Sequence, residues 1–213
     1  MSAHWFNGAI GQCPIALDPR DRGLNLGDGL FETILAVNRV PLWANMHLAR
    51  LQSAANELGI PFNRAAVDTG IAALLDRAGD GHQVLRVTLT RGAGARGLAG
   101  TGAVPALLIT CDAFDAGLMF QPAALLTSTI RRSPESPATR LKTLSYIDNI
   151  FAAREAAARA MDDALMLTTG DRVACSTIAN IFLTKGRKLI TPARDQGILT
   201  GVTRQALTGG ATE

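Results

Sequence analysis

Long apolar runs are missing from this chain of 213 residues. A membrane-spanning helix needs roughly 20 consecutive apolar residues. Nothing here approaches that, although 47% of the residues are hydrophobic and the mean hydropathy is +0.17. The opening MSAHWFNGAIG has no basic segment followed by an apolar one, so no signal peptide is expected. Cysteine is scarce. Cys13, Cys111 and Cys175 are widely spaced and odd in number, which argues against a disulfide framework and for a reducing, cytoplasmic setting. Tyrosine occurs once, and the basic residues are scattered despite a net charge of +3. Nucleic-acid binding needs a basic stripe with aromatic stacking partners, so no such partner is expected. His4, His47 and His82 lack ligand spacing, so no metal is expected, and no G-x-S-x-G turn supports a serine nucleophile. No repeat or low-complexity tract is present.

What remains is enough apolar material for one large or two small domains. A mild surplus of arginine suits a small anionic ligand, because planar guanidinium groups match carboxylates and phosphates. The stretch DRGLNLGDGLFETILAVNRVPLW reads as a glycine-punctuated turn, a strand over 30–37, a tight Asn38-Arg39 turn and a short return strand. A helix over about 45–58 carries Leu48, Leu51, Ala55 and Leu58 as its apolar stripe and stops at Gly59. A second, over about 64–78, carries Val67, Ile71, Leu74, Leu75 and Ala78 and closes at Gly79. QVLRVTLT and ALLITC read as strands, and DAFDAG as a link between domains. Beyond it, FQPAALLTSTI returns to strand. Residues 145–161 read as a helix with Ile147, Ile150, Phe151, Ala157 and Met161 on one side. Two hairpins follow, DALMLTT-GD-RVACST and ANIFLT-KGR-KLIT. The expected class is α+β, with an α/β sandwich domain over 1–114 and a mostly-β domain over 118–213.

Four stretches carry candidate chemistry. GAGARG, residues 92–97, follows a strand, but LAGTGAVP after it cannot open the helix that a dinucleotide site requires. It reads as a surface loop whose Arg91 and Arg96 can meet an anionic substrate. HLARL sets Arg50 beside the buried stripe of its helix, either as a snorkelling side chain or as an anion clamp. GILTGVTRQAL reads as a glycine loop entering a helix. The N–H groups of Val202, Thr203 and Arg204 there form either a phosphate cradle or an ordinary cap with Thr203 as the capping side chain. TRLKTLSYIDNIFAAREA puts Lys142 at a seam between loop and helix, flanked by Leu141 and Leu144. Apolar surroundings destabilise an ammonium and leave a nucleophilic amine, whereas a lysine with its head in water has no such role.

In this order, these stretches resemble fold type IV pyridoxal-phosphate enzymes, the class IV aminotransferase family. That family holds branched-chain and D-amino-acid aminotransferases and 4-amino-4-deoxychorismate lyase. DRGLNLGDGLFET is similar to its N-terminal signature, HLARL to its phosphate-arginine helix, and LKTLSYIDNIFAAREA to its Schiff-base lysine segment. ANIFLTKGRKLITP and GILTGVTRQAL continue the pattern, from about Asn7 to Leu207 in all. The TRGAGARGL loop is most similar to the lyase members. The resemblance implies two domains of D-amino-acid aminotransferase-like fold with a cleft between them, and a homodimer. It implies pyridoxal 5'-phosphate as cofactor and a small amino acid or aminodeoxychorismate-like compound as substrate. By the same resemblance Lys142 is the Schiff-base lysine, and Arg50, Val202 and Thr203 hold the cofactor phosphate. Arg91 and Arg96 meet the substrate. Two departures stand out. Five residues before Asn180 the family has a glutamate that keeps the pyridine nitrogen protonated, and here Cys175 occupies that cofactor-binding place. The family pattern also continues past the GVTR helix, whereas this sequence stops at TGGATE, so a curtailed end is expected. Lyase chemistry, amino transfer and a degenerate binding protein on the same fold are all compatible with these residues.

Overall fold

A computed structural model describes residues 3–12, 14–100 and 104–209. The chain divides into two compact units. The first holds Met1–Met119 together with Lys142–Ser145, and the second holds Phe120–Leu141 and Tyr146–Glu213.

The first unit opens with a hairpin of β1 (Ala3–Phe6) and β2 (Ala9–Gln12) that the pattern reading did not include. Its signal is in the sequence: Asn7-Gly8 is a dipeptide that accepts the positive φ values, 46° and 100°, of a tight hairpin turn. Then come α1 (Arg22–Leu26), β3 (Gly29–Val37) and β4 (Val40–Pro41). Two helices follow, α2 (Ala44–Leu58) and α3 (Arg64–Ala78), and two strands, β5 (His82–Thr90) and β6 (Ala106–Ala113). The six strands form one antiparallel sheet in the order β2-β1-β6-β5-β3-β4.

Register explains which side chains meet. Leu30 pairs with Leu89 and Ile34 with Leu85 across β3 and β5, and Val87 pairs with Ile109 across β5 and β6. All lie on the buried face, against which α2 and α3 pack with Leu48, Leu51, Val67 and Leu74. Glu32 shares that face. Its row on β3 reads Leu30, Glu32, Ile34, Ala36, each 0% exposed.

The second unit begins with β7 (Leu125–Arg132), the short α4 (Pro137–Arg140) and α5 (Ile147–Ala157). β8 (Asp163–Thr168) and β9 (Val173–Ser176) complete a three-stranded sheet. β7 and β8 are parallel, so the chain between them crosses over through α5, and β8 and β9 are antiparallel. A separate ribbon of β10 (Leu183–Lys185) and β11 (Lys188–Ile190) precedes α6 (Val202–Thr208).

One helix departs from expectation in its length and its facing. α5 runs only over Ile147–Ala157, and Ile147, Ile150 and Phe151 are 59%, 43% and 51% exposed. Ala157 and Met161 are exposed too. The buried contacts come instead from Ala152 and Ala156, which pack with Ala164, Met166, Ala174, Cys175 and Ile198. Small side chains let the helix approach the sheet closely. A tether on the same side fixes the rotation: the Glu155 carboxylate accepts hydrogen bonds from the Ser128 hydroxyl at 2.5 Å and the Thr129 N–H at 3.0 Å.

Candidate active site

The site of the first unit starts from the buried carboxylate on β3. A charge in an apolar row must be paired and hydrogen-bonded. α2 supplies both partners one turn apart. Arg50 donates from Nε to Glu32 Oε1 at 2.7 Å and from Nη2 to Oε2 at 2.6 Å. His47 Nδ1 lies 2.8 Å from Oε2, and because a carboxylate only accepts, the proton sits on Nδ1. Burial alone would raise the Glu32 pKa, but the bonds from His47 and Arg50 outweigh it and hold the carboxyl below its ordinary range.

Lys142 reaches this place through backbone pairing with β3. It is not at a helix start: α5 begins five residues later, at Ile147. Thr143 bridges Leu30, the Phe31 N–H donates to the Lys142 carbonyl at 2.9 Å, and the Leu144 N–H donates to the Gly29 carbonyl at 2.9 Å. Gly29 permits this approach, since a Cβ there would come within 2.6 Å of the Leu89 carbonyl and 2.8 Å of Leu144. The pairing sets Lys142 beside Phe31, with its Nζ 4.3 Å from the ring centroid. The Arg86 guanidinium lies 3.9 Å from the same centroid. Aromatic faces attract both cations. Burial pushes the Lys142 amine down to about 8; Glu32 pulls it up, while Arg50 and Arg86 push it further down. Lys142 and Arg50, predicted as amine and phosphate clamp, therefore belong to one electrostatic cluster.

Arg91 is turned to other work than the substrate contact expected of it. Its Nε donates to Asp28 at 2.7 Å, and its Nη2 and Nη1 donate to the Leu58 and Gly59 carbonyls at 2.8 and 3.1 Å. It thus closes the C-terminal end of α2, where carbonyls lack helical partners. Arg22 makes the mirror arrangement, with Nε to Asp28 at 2.8 Å and its other nitrogens to the Gly97 and Leu98 carbonyls at 2.7 and 2.8 Å. Asp28 so ties the N-terminal turn to the glycine loop. Arg96 is exposed on that loop and lines a cavity of about 620 Å³ with Arg20, Arg22 and Asn25. Among the described residues no helix follows the glycines, and the next element is β6.

The second unit holds the remaining predicted residues. Cys175 on β9 is buried, pairs with Met166 and bridges Asn180. Burial raises its thiol pKa, Arg132 partly offsets this and Asp163 adds to it, so the thiol stays neutral. Asn180 donates from Nδ2 to the Leu199 carbonyl at 2.9 Å. Gly201 follows because a Cβ there would lie 2.1 Å from Asn180 Oδ1. The expected Thr203 cap is not formed. Gly201 is the N-cap, no side chain caps α6, and Thr203 is the second helical residue, exposed beside buried Val202. The N–H of Gln205 opens the ladder on the Gly201 carbonyl, which leaves the N–H groups of Val202 and Thr203 outside it. Arg132 is buried and donates to the Thr139 carbonyl at 2.9 Å, the Gly197 carbonyl at 3.3 Å and Asn149 Oδ1 at 3.4 Å. Asn149 donates onward to the Thr177 carbonyl at 2.5 Å.

Pattern reading missed Glu32, His47, Phe31 and Arg86. For Glu32 the signal was available: period-2 parity places it with Leu30 and Ile34, and a buried acid demands a partner. Phe31 and Arg86 carry no such mark, because their meeting with Lys142 depends on the pairing of segments far apart in sequence.

The chain is similar to known proteins. Residues 29–211 match the amino-transferase class IV family. The aminodeoxychorismate lyase of Bacillus subtilis is 31% identical over 205 residues, spanning 92% of this chain and 69% of that protein. The D-alanine aminotransferase of Bacillus licheniformis is 27% identical over 210 residues, spanning 93% and 71%. The crystal structure of 4-amino-4-deoxychorismate lyase from Pseudomonas aeruginosa superposes with a TM-score of 0.85 at 30% identity, covering 98% of this chain and 77% of that one. The chain belongs to the class IV aminotransferase family and has the fold type IV architecture of pyridoxal-phosphate-dependent lyases and aminotransferases. Substrates in this family are small amino acids or aminodeoxychorismate. Among the described residues no helix is long and apolar enough to cross a membrane.

Proposed function

We propose that this chain binds pyridoxal 5'-phosphate and eliminates pyruvate from an aminodeoxychorismate-like substrate, leaving an aromatic amine. One observation carries the reading: a half-buried lysine amine titrating near 8 shares an electrostatic cluster with a fixed guanidinium. That pair fits a phosphorylated aldehyde, because a neutral amine can attack the carbonyl and a planar cation suits the dianion. When bound, the cofactor supplies a conjugated ring that takes up electrons from the substrate. Lys142 would hold the cofactor through its Nζ, and that amine, freed when the substrate amine takes its place, would accept the proton that leaves the substrate α-carbon. Arg50 would bind the phosphate, and the family resemblance gives the N–H groups of Val202 and Thr203 and the Thr203 hydroxyl the same role. Arg96 meets a substrate carboxylate, with Arg91 bracing the loop behind it. We further read the protein as a cytoplasmic homodimer, on the family resemblance.

Lyase chemistry is preferred to amino transfer because the TRGAGARGL loop is most similar to the lyase members; sequence identity does not separate the two, at 31% and 27% for lyase relatives and 30% and 27% for aminotransferases. Incubation with aminodeoxychorismate should release pyruvate. Glutamate formed from D-alanine, or a branched-chain amino acid, plus 2-oxoglutarate would instead make it an aminotransferase. A second reading, a non-catalytic relative, is favoured by the neutral thiol at Cys175, which cannot hold a pyridinium as a carboxylate does. Absence of turnover with both substrate pairs would leave that reading standing.

A further inference from the structure

We propose that Glu32 is the positioning residue of the site: it fixes the orientation of the Arg50 guanidinium toward the cofactor phosphate and supplies the negative charge that faces Lys142. The inference rests on the reading that this chain binds pyridoxal phosphate.

Arginine reaches its target through a long flexible side chain, so a phosphate clamp needs something to hold its plane. Two bonds from Nε and Nη2 to the two oxygens of one carboxylate set that plane. The carboxylate is itself held by β3 on one side and by His47 on the other. An acid placed among Leu30, Ile34 and Ala36 would be costly for the fold alone, since an apolar side chain would fill the row at lower cost. Among the described residues, Glu32 supplies the negative charge acting on Lys142, against the positive charges of Arg50 and Arg86. Removing its charge leaves the amine facing two cations. Both the hold on Arg50 and the balance at Lys142 then fail together.

The test compares wild type with Glu32→Gln, using pyridoxal 5'-phosphate and pyridoxal, which lacks the phosphate. Dissociation constants come from absorbance titration. Glu32→Gln should weaken pyridoxal phosphate by roughly tenfold or more and pyridoxal by less than about threefold, because only the former uses Arg50. In the cofactor-free protein, the pH midpoint for acylation of Lys142 should move down, with exposed Lys185 and Lys188 as internal standards. Equal weakening of both aldehydes, or an unmoved or raised midpoint, overturns the proposal. Should Glu32→Gln fail to fold, Glu32→Asp serves. Its shorter side chain keeps the charge but cannot complete the fork, so it should lose pyridoxal phosphate selectively while holding the Lys142 midpoint near that of wild type; loss of both aldehydes alike contradicts the proposal. If wild type binds neither aldehyde, the cofactor reading falls and the inference with it. If wild type binds pyridoxal phosphate and the variant matches it, the inference alone falls.

Discussion

The two units treat buried positive charge in opposite ways. In the first, three arginines are paired with carboxylates: Arg50 holds Glu32, and Arg22 and Arg91 share Asp28, while Arg86 lies over the Phe31 ring. In the second, Arg132 is met by carbonyl oxygens of Thr139 and Gly197 and by the Asn149 amide. The ionisable group it influences most directly is a thiol, Cys175, kept neutral mainly by burial. The first unit therefore holds these arginines by ion pairing, and the second holds Arg132 with neutral oxygen acceptors.

That contrast can be broken at several points. The largest effect is expected at Asp28→Asn, which leaves two largely buried guanidinium groups without a counter-charge and should cost about 2–4 kcal/mol by urea unfolding. The same carboxyl gives a pH signature. Burial raises its pKa, but Arg91 and Arg22 outweigh this and lower it in the folded state. Its stabilisation is thus complete above the unfolded pKa of an aspartate and is lost as pH falls through the lower, folded value. Acid unfolding of Asp28→Asn should lack that component.

Next comes Arg132→Met, which gives up bonds to neutral acceptors and should cost about 1–3 kcal/mol, less than Asp28→Asn. A cost equal to or above that of Asp28→Asn would erase the contrast between the units. Smaller in stability, but sharper for chemistry, is Cys175→Glu. It brings a carboxylate near Arg132 and introduces the residue that the family resemblance implies at this place. Absorbance of the bound cofactor and the turnover number should both change; if neither moves, the neutral thiol has no bearing on cofactor electronics.

Arg50 and Lys142 stand out in the sequence for different reasons. HLARL sets Arg50 on a helix, as α2 has it, whereas Lys142 is singled out by the resemblance of LKTLSYIDNIFAAREA to a family segment and not by spacing. The Asn38-Arg39 turn likewise declares itself, with φ values of 48° and 66°. What escaped reading depends on tertiary pairing. The extended segment at Lys142 is fixed by hydrogen bonds to β3, more than a hundred residues earlier, and looks from spacing alone like the start of a helix. α5 turns Ala152 and Ala156 inward against Ala164 and Met166 and leaves Ile150 and Phe151 exposed, a choice that apolar spacing along the helix does not mark. Arg91 and Arg96 are indistinguishable by type, yet one faces Asp28 and the other solvent.

The central claim is that the amine of Lys142 is the reactive one. The chain's other lysines, Lys185 and Lys188, are exposed on the β10–β11 ribbon, so one experiment separates them. Wild type incubated with pyridoxal phosphate near pH 8, reduced with borohydride and digested should carry one phosphopyridoxyl group on the peptide containing Lys142, and Lys142→Ala should carry none. Labelling spread evenly over Lys185 and Lys188, with Lys142 unmodified, would contradict the account.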